Sequence, residues 1–161
     1  MFDIRSATIT DADQIWPILQ PVFRAGDTYT LPRDISRDDA LAYWFSKGNQ
    51  VFVAEQDDQV LGTYYLRANQ RGGGSHVCNC GYITDAHAIG RGVARTMCLH
   101  SKEQAKRSGF RAMQFNFVVS TNERAVKLWQ SLGFEIVGTL PLAFEHPYKG
   151  FVDALVMFAT L

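Results

Sequence analysis

The stretch Tyr82-Ile83-Thr84-Asp85-Ala86-His87-Ala88-Ile89-Gly90-Arg91-Gly92-Val93-Ala94-Arg95 decides how the chain is read. It closes a strand-like run, 75–84, crosses a short loop, and enters a periodic stretch that predicts a helix from about Gly90 to Ser108. The first amides of a helix lack intrahelical acceptors and sit at the positive end of its dipole, so this passage is a ready cradle for an anion. Glycines at 90 and 92 remove the Cβ atoms that would hold a diphosphate away from the main chain. Arg91 and Arg95, four residues apart, put positive charge on one helical face. The spacing is neither the Gly-x4-Gly-Lys-Ser/Thr of a P-loop nor Gly-x-Gly-x-x-Gly, so no dinucleotide fold follows. From these residues alone, a flexible connector with incidental glycines remains the other reading.

On the N-terminal side, residues 2–9 read as a strand. A helix follows from Thr10 to Gly26 with Ile15, Ile18, Leu19, Val22 and Phe23 inward, and Pro17 and Pro21 predict a kink or break in it. Ser36 caps a second helix that ends near Lys47 and Gly48. Strands 50–56 and 60–67 flank the turn Asp57-Asp58-Gln59. On the C-terminal side come strand 111–119, helix 122–132 closed by Gly133, strand 134–140, a loop carrying Pro141 and Pro147, and strand 152–160. The helix between strands 75–84 and 111–119 makes those two parallel neighbours, whereas the hairpins are antiparallel. The fold class is therefore α+β: a mixed, mostly antiparallel central sheet flanked by helices, in one domain over 1–161.

The glycine stretch resembles motif A of the GNAT superfamily of N-acetyltransferases, Arg/Gln-x-x-Gly-x-Gly/Ala. Gly92-Val93-Ala94 match its second half, Gly90 and Arg91 match common intermediate residues, and Ile89 stands where the pattern opens with Arg or Gln. Thr121-Asn122-Glu123-Arg124-Ala125-Val126-Lys127-Leu128-Trp129-Gln130-Ser131-Leu132-Gly133-Phe134 resembles motif B, Asn-x-x-Ala-x-x-Leu-Tyr-x-x-x-Gly-Phe. Both blocks fall in the family's order and on the expected elements. The resemblance implies a splayed parallel strand pair and acetyl-CoA as cosubstrate. It implies cofactor contacts from Tyr82, Ile83, Thr84, Ile89, Gly90, Arg91, Gly92, Val93, Ala94, Arg95, Asn122 and Trp129. Trp129 departs from the family tyrosine that protonates the leaving thiolate, since an indole N–H is only a weak donor. That departure keeps open a second class of reading, a non-catalytic acyl-CoA-binding regulatory module of the same fold.

Asn79 and Asn116 lie within strands, where asparagine is depleted, and a buried amide needs partners. Asn79, Asn116 and Asn122 with Leu128-Trp129 and Leu132-Gly133-Phe134 are similar to the yeast-type N-acetyltransferases of L-azetidine-2-carboxylate and related proline analogues. That similarity implies a small-molecule amine acceptor beside Asn79 and Asn116. Gly81 is expected to mark a bulge that opens the strand pair. Tyr29 and the pair Tyr64-Tyr65 are candidates to wall the acceptor site, or are sheet packing. His76 and Glu145 are candidate proton acceptors, with ordered water as the alternative. Residues 143–147 read as a loop that caps the cleft or merely connects two strands.

Composition bounds the rest. Sixteen basic and sixteen acidic residues cancel, so no chain-wide basic face suits nucleic acid or an anionic membrane. No apolar run spans a bilayer, and Asp3 interrupts any leader-like start. Three cysteines, an odd number, read as free thiols in a reducing cytoplasm. His76, Cys78 and Cys80 are too sparse to hold a metal, so none is expected. A homodimer is expected by analogy with the resembled family.

Overall fold

Asp57 and Asp58 both take positive φ, 52° and 62°, the two-residue hairpin geometry whose twist matches the flanking strands. They join β2 (Gln50–Gln56) to β3 (Gln59–Ala68), the centre from which the sheet extends. The computed structural model describes residues 1–161. In chain order its other elements are β1 (Asp3–Ser6), α1 (Ala12–Ala25), α2 (Arg37–Trp44), β4 (Val77–Thr84), α3 (Val93–Arg107), β5 (Ala112–Val119), α4 (Glu123–Ser131), β6 (Glu135–His146) and β7 (Gly150–Thr160). β1 precedes α1 in sequence, and β2 and β3 follow α2. All seven strands form one sheet in the order β1-β2-β3-β4-β5-β7-β6, antiparallel except for β4 and β5. The expected α+β class and mixed sheet are therefore correct.

Strand alternation sorts the core into two layers, one on each face of the sheet. Tyr64, Leu66, Cys78 and Met113 face α3 and α4, where they meet Met97, Cys98 and Trp129. Val53, Tyr65 and Ile83 face α1 and α2, where they meet Ile15, Leu19, Phe23 and Trp44. Each such buried side chain contributes about 1.5–3 kcal/mol relative to exposure. The Trp44 indole donates to Thr63 Oγ1 at 3.0 Å, and that hydroxyl donates to the Phe52 carbonyl at 2.8 Å, so a polar pair inside the second layer is fully used. The three cysteines are free and buried.

Three local expectations change. First, α1 is one uninterrupted helix through Pro17 and Pro21. The two carbonyls deprived of a donor belong to Asp13 and Pro17, both exposed to water, while the opposite face is anchored in the core. Gly26, at φ 65°, ends it. Second, residues 143–147 are not a cleft-capping loop. β6 continues to His146, with Phe144, Glu145 and His146 paired to Val152, Phe151 and Gly150, and Pro147 opens the turn to β7. Pro141 is accommodated in a bulge between Leu140 and Phe144, where Leu142 takes φ 51° and its amide donates to Asp153 Oδ1 at 2.9 Å. Third, β1 stops at Ser6, because the Asp11 carboxylate accepts from Arg5 at 2.8 and 3.0 Å and from the Thr8 amide at 2.8 Å, closing a turn before α1. No helix is long and apolar enough to cross a membrane.

Candidate active site

The parallel pair β4–β5 holds together at only two positions, Val77 with Ala112 and Cys78 with Met113, and then the strands part. A continued parallel ladder would pair the Cys80 amide with the Gln114 carbonyl. Instead Asn79 Nδ2 donates to that carbonyl at 2.9 Å. A carbonyl only accepts, so this bond points the amide's nitrogen into the fork and turns Oδ1 away from it. On the other side of β5, the register against β7 shifts between Phe115 and Val118, bending β5 away from β4. The resulting cleft has a volume of about 680 Å³, the size of a cofactor or substrate pocket.

One wall is backbone. The register of β3 on β4 is continuous from Gly62–Thr84 to Ala68–Cys78, and both the Asn69 amide to Val77 carbonyl bond and the Asp85 amide to Leu61 carbonyl bond use odd-numbered β4-side residues. Alternation then directs the main-chain groups of Cys80, Tyr82 and Thr84 toward the cleft. The Tyr29 hydroxyl caps one of them, the Tyr82 carbonyl, at 3.2 Å. Gly81 therefore marks no bulge, because its amide faces β3. Its role is steric: a Cβ there would stand 2.6 Å from the Tyr65 ring. Beyond β4 the chain turns through Gly90 and Gly92, both at φ 87°, into α3. The amides of Gly90, Gly92, Val93, Ala94 and Arg95 donate to no acceptor in the protein, and no atom lies within 4 Å of the Cβ position at Gly92. Five open donors at a helix start, beside Arg95 and Arg124, fit a diphosphate. Asn122 caps α4 through the Ala125 amide at 3.4 Å and also lines the cleft.

The other wall is side chain. Tyr29, Tyr43 and Tyr65 cluster with Trp44: Tyr65 lies edge-on to Trp44 with ring centres 4.9 Å apart, and the Tyr43 and Tyr65 hydroxyls are 3.3 Å apart. Burial pushes the Tyr29, Tyr65 and Tyr82 phenols and the Cys80 thiol up, so all stay protonated at neutral pH. A buried thiol of this kind is a poor nucleophile. Asn116, Asn69 and Gln114 form a chain of amides, with Asn116 Nδ2 donating to Asn69 Oδ1 at 2.6 Å and Gln114 Nε2 donating to Asn116 Oδ1 at 2.9 Å. Trp129 sits where the walls meet, its ring 5.1 Å from that of Tyr82 and 5.2 Å from that of Phe115. No Asp, Glu or His lines the cleft.

The structure thus brings together Asn79, Asn116, Tyr29, Tyr82, Ile83, Thr84, Ile89, Gly90, Gly92, Val93, Ala94, Arg95, Asn122 and Trp129 around one cavity. Four expected residues stand elsewhere. His76 is exposed, one residue ahead of β4 at the closed end of the strand pair, where its carbonyl accepts from the Arg111 amide at 2.8 Å. Glu145 is exposed on the edge strand β6, two strands from β4–β5. Tyr64 points to the opposite face from Tyr65, stacked on Phe52 and hydrogen-bonded to His100 Nδ1 at 2.7 Å. Arg91 turns outward to Gln56 Oε1 at 2.8 Å and stacks over Phe2. Conversely, Thr28, Thr30, Tyr43, Arg67 and Arg124 line the cleft without having been singled out by spacing. Tyr65 was half of a marked pair, and only strand parity distinguishes it from Tyr64.

A family model described as the acetyltransferase (GNAT) family matches residues 12–134, from the start of α1 to just past α4. The chain belongs to the GNAT acetyltransferase family. Among relatives, this acetyltransferase is 26% identical over 148 residues to N-acetyltransferase aca1 of Schizosaccharomyces pombe, across 81% of this chain and 71% of that one. It is similar to a GCN5-related N-acetyltransferase from Kribbella flavida, 40% identical with a TM-score of 0.94 over 99% of this chain and 98% of the other. In fold it also matches yncA from Salmonella typhimurium, solved with its cofactor acetyl-CoA, at TM-score 0.87 and 21% identity over 100% and 94% of the two chains.

Proposed function

We propose that this acetyltransferase moves the acetyl group of acetyl-CoA to the amine of a small molecule, an amino acid or proline analogue, by direct attack in a ternary complex. The observation that carries the reading is the continuity of open backbone donors. The five free amides at the start of α3 lead along the unpaired edge of β4 to a pocket of tyrosines and asparagines. Acetyl-CoA supplies an activated thioester whose leaving thiol, with a pKa of about 8–9, needs little assistance. The amides of Gly92 to Arg95 hold the diphosphate, and Arg95 and Arg124 add charge. The edge groups of Cys80, Tyr82 and Thr84 accept an extended arm as an added strand does. One of those edge amides is placed to polarise the reacting carbonyl. With no carboxylate or imidazole at hand, the amine reacts in its neutral form and its proton leaves through water.

The fork itself supports direct attack: Cys80 is the only thiol on the cleft wall, and burial keeps it protonated. The assay is acceptor-dependent release of free thiol from acetyl-CoA across a panel of amines that includes cyclic secondary amino acids. Turnover with one of them is the expected result. Binding of acetyl-CoA with no turnover on any amine would favour the second reading, a non-catalytic acyl-CoA-binding module, which Trp129 in place of a tyrosine supports.

A further inference from the structure

Resting on the proposed transfer to a small amine, we infer that Arg67 selects acceptors that carry a carboxylate next to the amine, with Asn79 Oδ1 taking the amine's N–H. Arg67 stands on β3 directly opposite Asn79 on β4, on the sheet face that also carries Tyr65. Opposed residues of an antiparallel pair have Cβ atoms about 4.5–5.5 Å apart, so the two side chains reach into the same space. That space is the acceptor end of the cleft, which both residues line. Tyr65 stands two residues earlier on the same strand and face, so Arg67 borders the tyrosine wall.

Two features make Arg67 the unspent group at that end. Its neighbours are already engaged: Asn79 Nδ2 is bound to the Gln114 carbonyl, and Asn116 is bound at both ends of its amide. Arg67 itself forms no ion pair, unlike Arg5 and Arg37, and no hydrogen bond. It is a cation in a cleft with no acidic side chain, which leaves its planar fork for a ligand oxyanion and most naturally a carboxylate. The other two cleft arginines, Arg95 and Arg124, stand at the α3 and α4 end, where the diphosphate is placed. At the acceptor end, then, opposed residues supply a donor fork and an amide oxygen with no partner, the pattern that an α-amino acid presents in reverse. The same charge balance disfavours polyamines and other cationic acceptors, which require acidic walls.

The experiment compares kcat/KM for an α-amino acid and for the same amine without its carboxylate, azetidine-2-carboxylate and azetidine, in the wild-type protein, Arg67→Gln and Arg67→Lys. The wild type is expected to prefer the carboxylate at least about tenfold, the effect of one charge-assisted fork in a partly exposed site. Arg67→Gln is expected to reduce that preference to under about threefold, mostly through KM, with Arg67→Lys in between. Equal use of the two amines by the wild type, or an undiminished preference in Arg67→Gln, overturns the assignment while leaving acetyl transfer standing. If no amine turns over, the proposed transfer fails instead. Binding then decides for Arg67: in calorimetry with coenzyme A present, azetidine-2-carboxylate should bind the wild type more tightly than Arg67→Gln, and equal or absent binding overturns the inference.

Discussion

The two walls of the cleft are built from different materials. The proposed cofactor wall is main chain: open amides at Gly90 and at Gly92 to Arg95 and the unpaired edge of β4, with glycine at the two positions where φ reaches 87°. The proposed acceptor wall is side chain: Tyr29 from the loop after α1, Tyr43 from α2, Tyr65 and Arg67 from β3, Asn79 from β4 and Asn116 from β5. A backbone wall tolerates most side-chain changes but depends on glycines and on the strand fork. A side-chain wall changes its ligand with single substitutions and leaves the fold alone. The same scaffold can therefore keep one cosubstrate and vary its acceptor.

The sharpest way to break this contrast is Gly92→Val. It forces a β-branched residue to positive φ and puts a side chain among the open amides, so acetyl-CoA affinity should fall by about a hundredfold or more in calorimetry. Stability should fall by only about 1–2 kcal/mol in a denaturant melt. Next comes Asn79→Ala. It frees the Gln114 carbonyl and removes the Oδ1 proposed to take the acceptor's N–H, so kcat/KM for the acceptor should fall about 10- to 100-fold, with the KM for acetyl-CoA within about threefold of wild type. Gly81→Ala drives a methyl into the Tyr65 ring and should raise the acceptor KM by about tenfold, at a cost of about 1–3 kcal/mol in stability.

The pH profile sharpens the contrast further. No carboxylate or imidazole lines the cleft, and burial pushes Tyr29, Tyr65, Tyr82 and Cys80 up, so in the proposed reaction the group that must lose a proton is the acceptor amine. Below its pKa the neutral fraction grows tenfold per pH unit, and log kcat/KM should rise with a slope of about one and level off at the acceptor's own pKa. Acceptors of lower pKa should move the break down by the same amount, whereas a fixed break would reveal an enzymic base. The smallest effect is expected for His76→Ala and Glu145→Ala, both outside the cleft, with kcat/KM within about twofold of wild type.

What could be read in advance follows the same division. Glycines and helix starts announce themselves locally, so Gly90, Gly92 and the α3 cradle were legible in a continuous stretch, and helix crossover dictated the parallel pair. The acceptor wall is assembled from residues more than eighty positions apart, Tyr29 to Asn116, none with a spacing to betray it. Tyr64 and Tyr65 show the limit most simply: adjacent aromatics on one strand differ only in parity, and parity is set by which face packs on α1. Residues 143–147 were obscured differently, since two prolines suggest a loop, whereas Pro141 sits in a bulge that needs no amide from it and Pro147 only opens the turn after β6. His76 and Glu145 have suitable chemistry, but His76 lies at the closed end of the strand pair and Glu145 on the edge strand β6, both outside the cleft.

The central claim is that main-chain amides at the start of α3 hold the diphosphate of acetyl-CoA. Hydrogen exchange resolved at single amides tests it most directly, because those of Gly90, Gly92, Val93, Ala94 and Arg95 have no acceptor in the free protein. Saturating acetyl-CoA should slow exchange at those five and at Cys80, Tyr82 and Thr84 more than anywhere else in the chain. Unchanged exchange at residues 90–95 while acetyl-CoA is bound would contradict it.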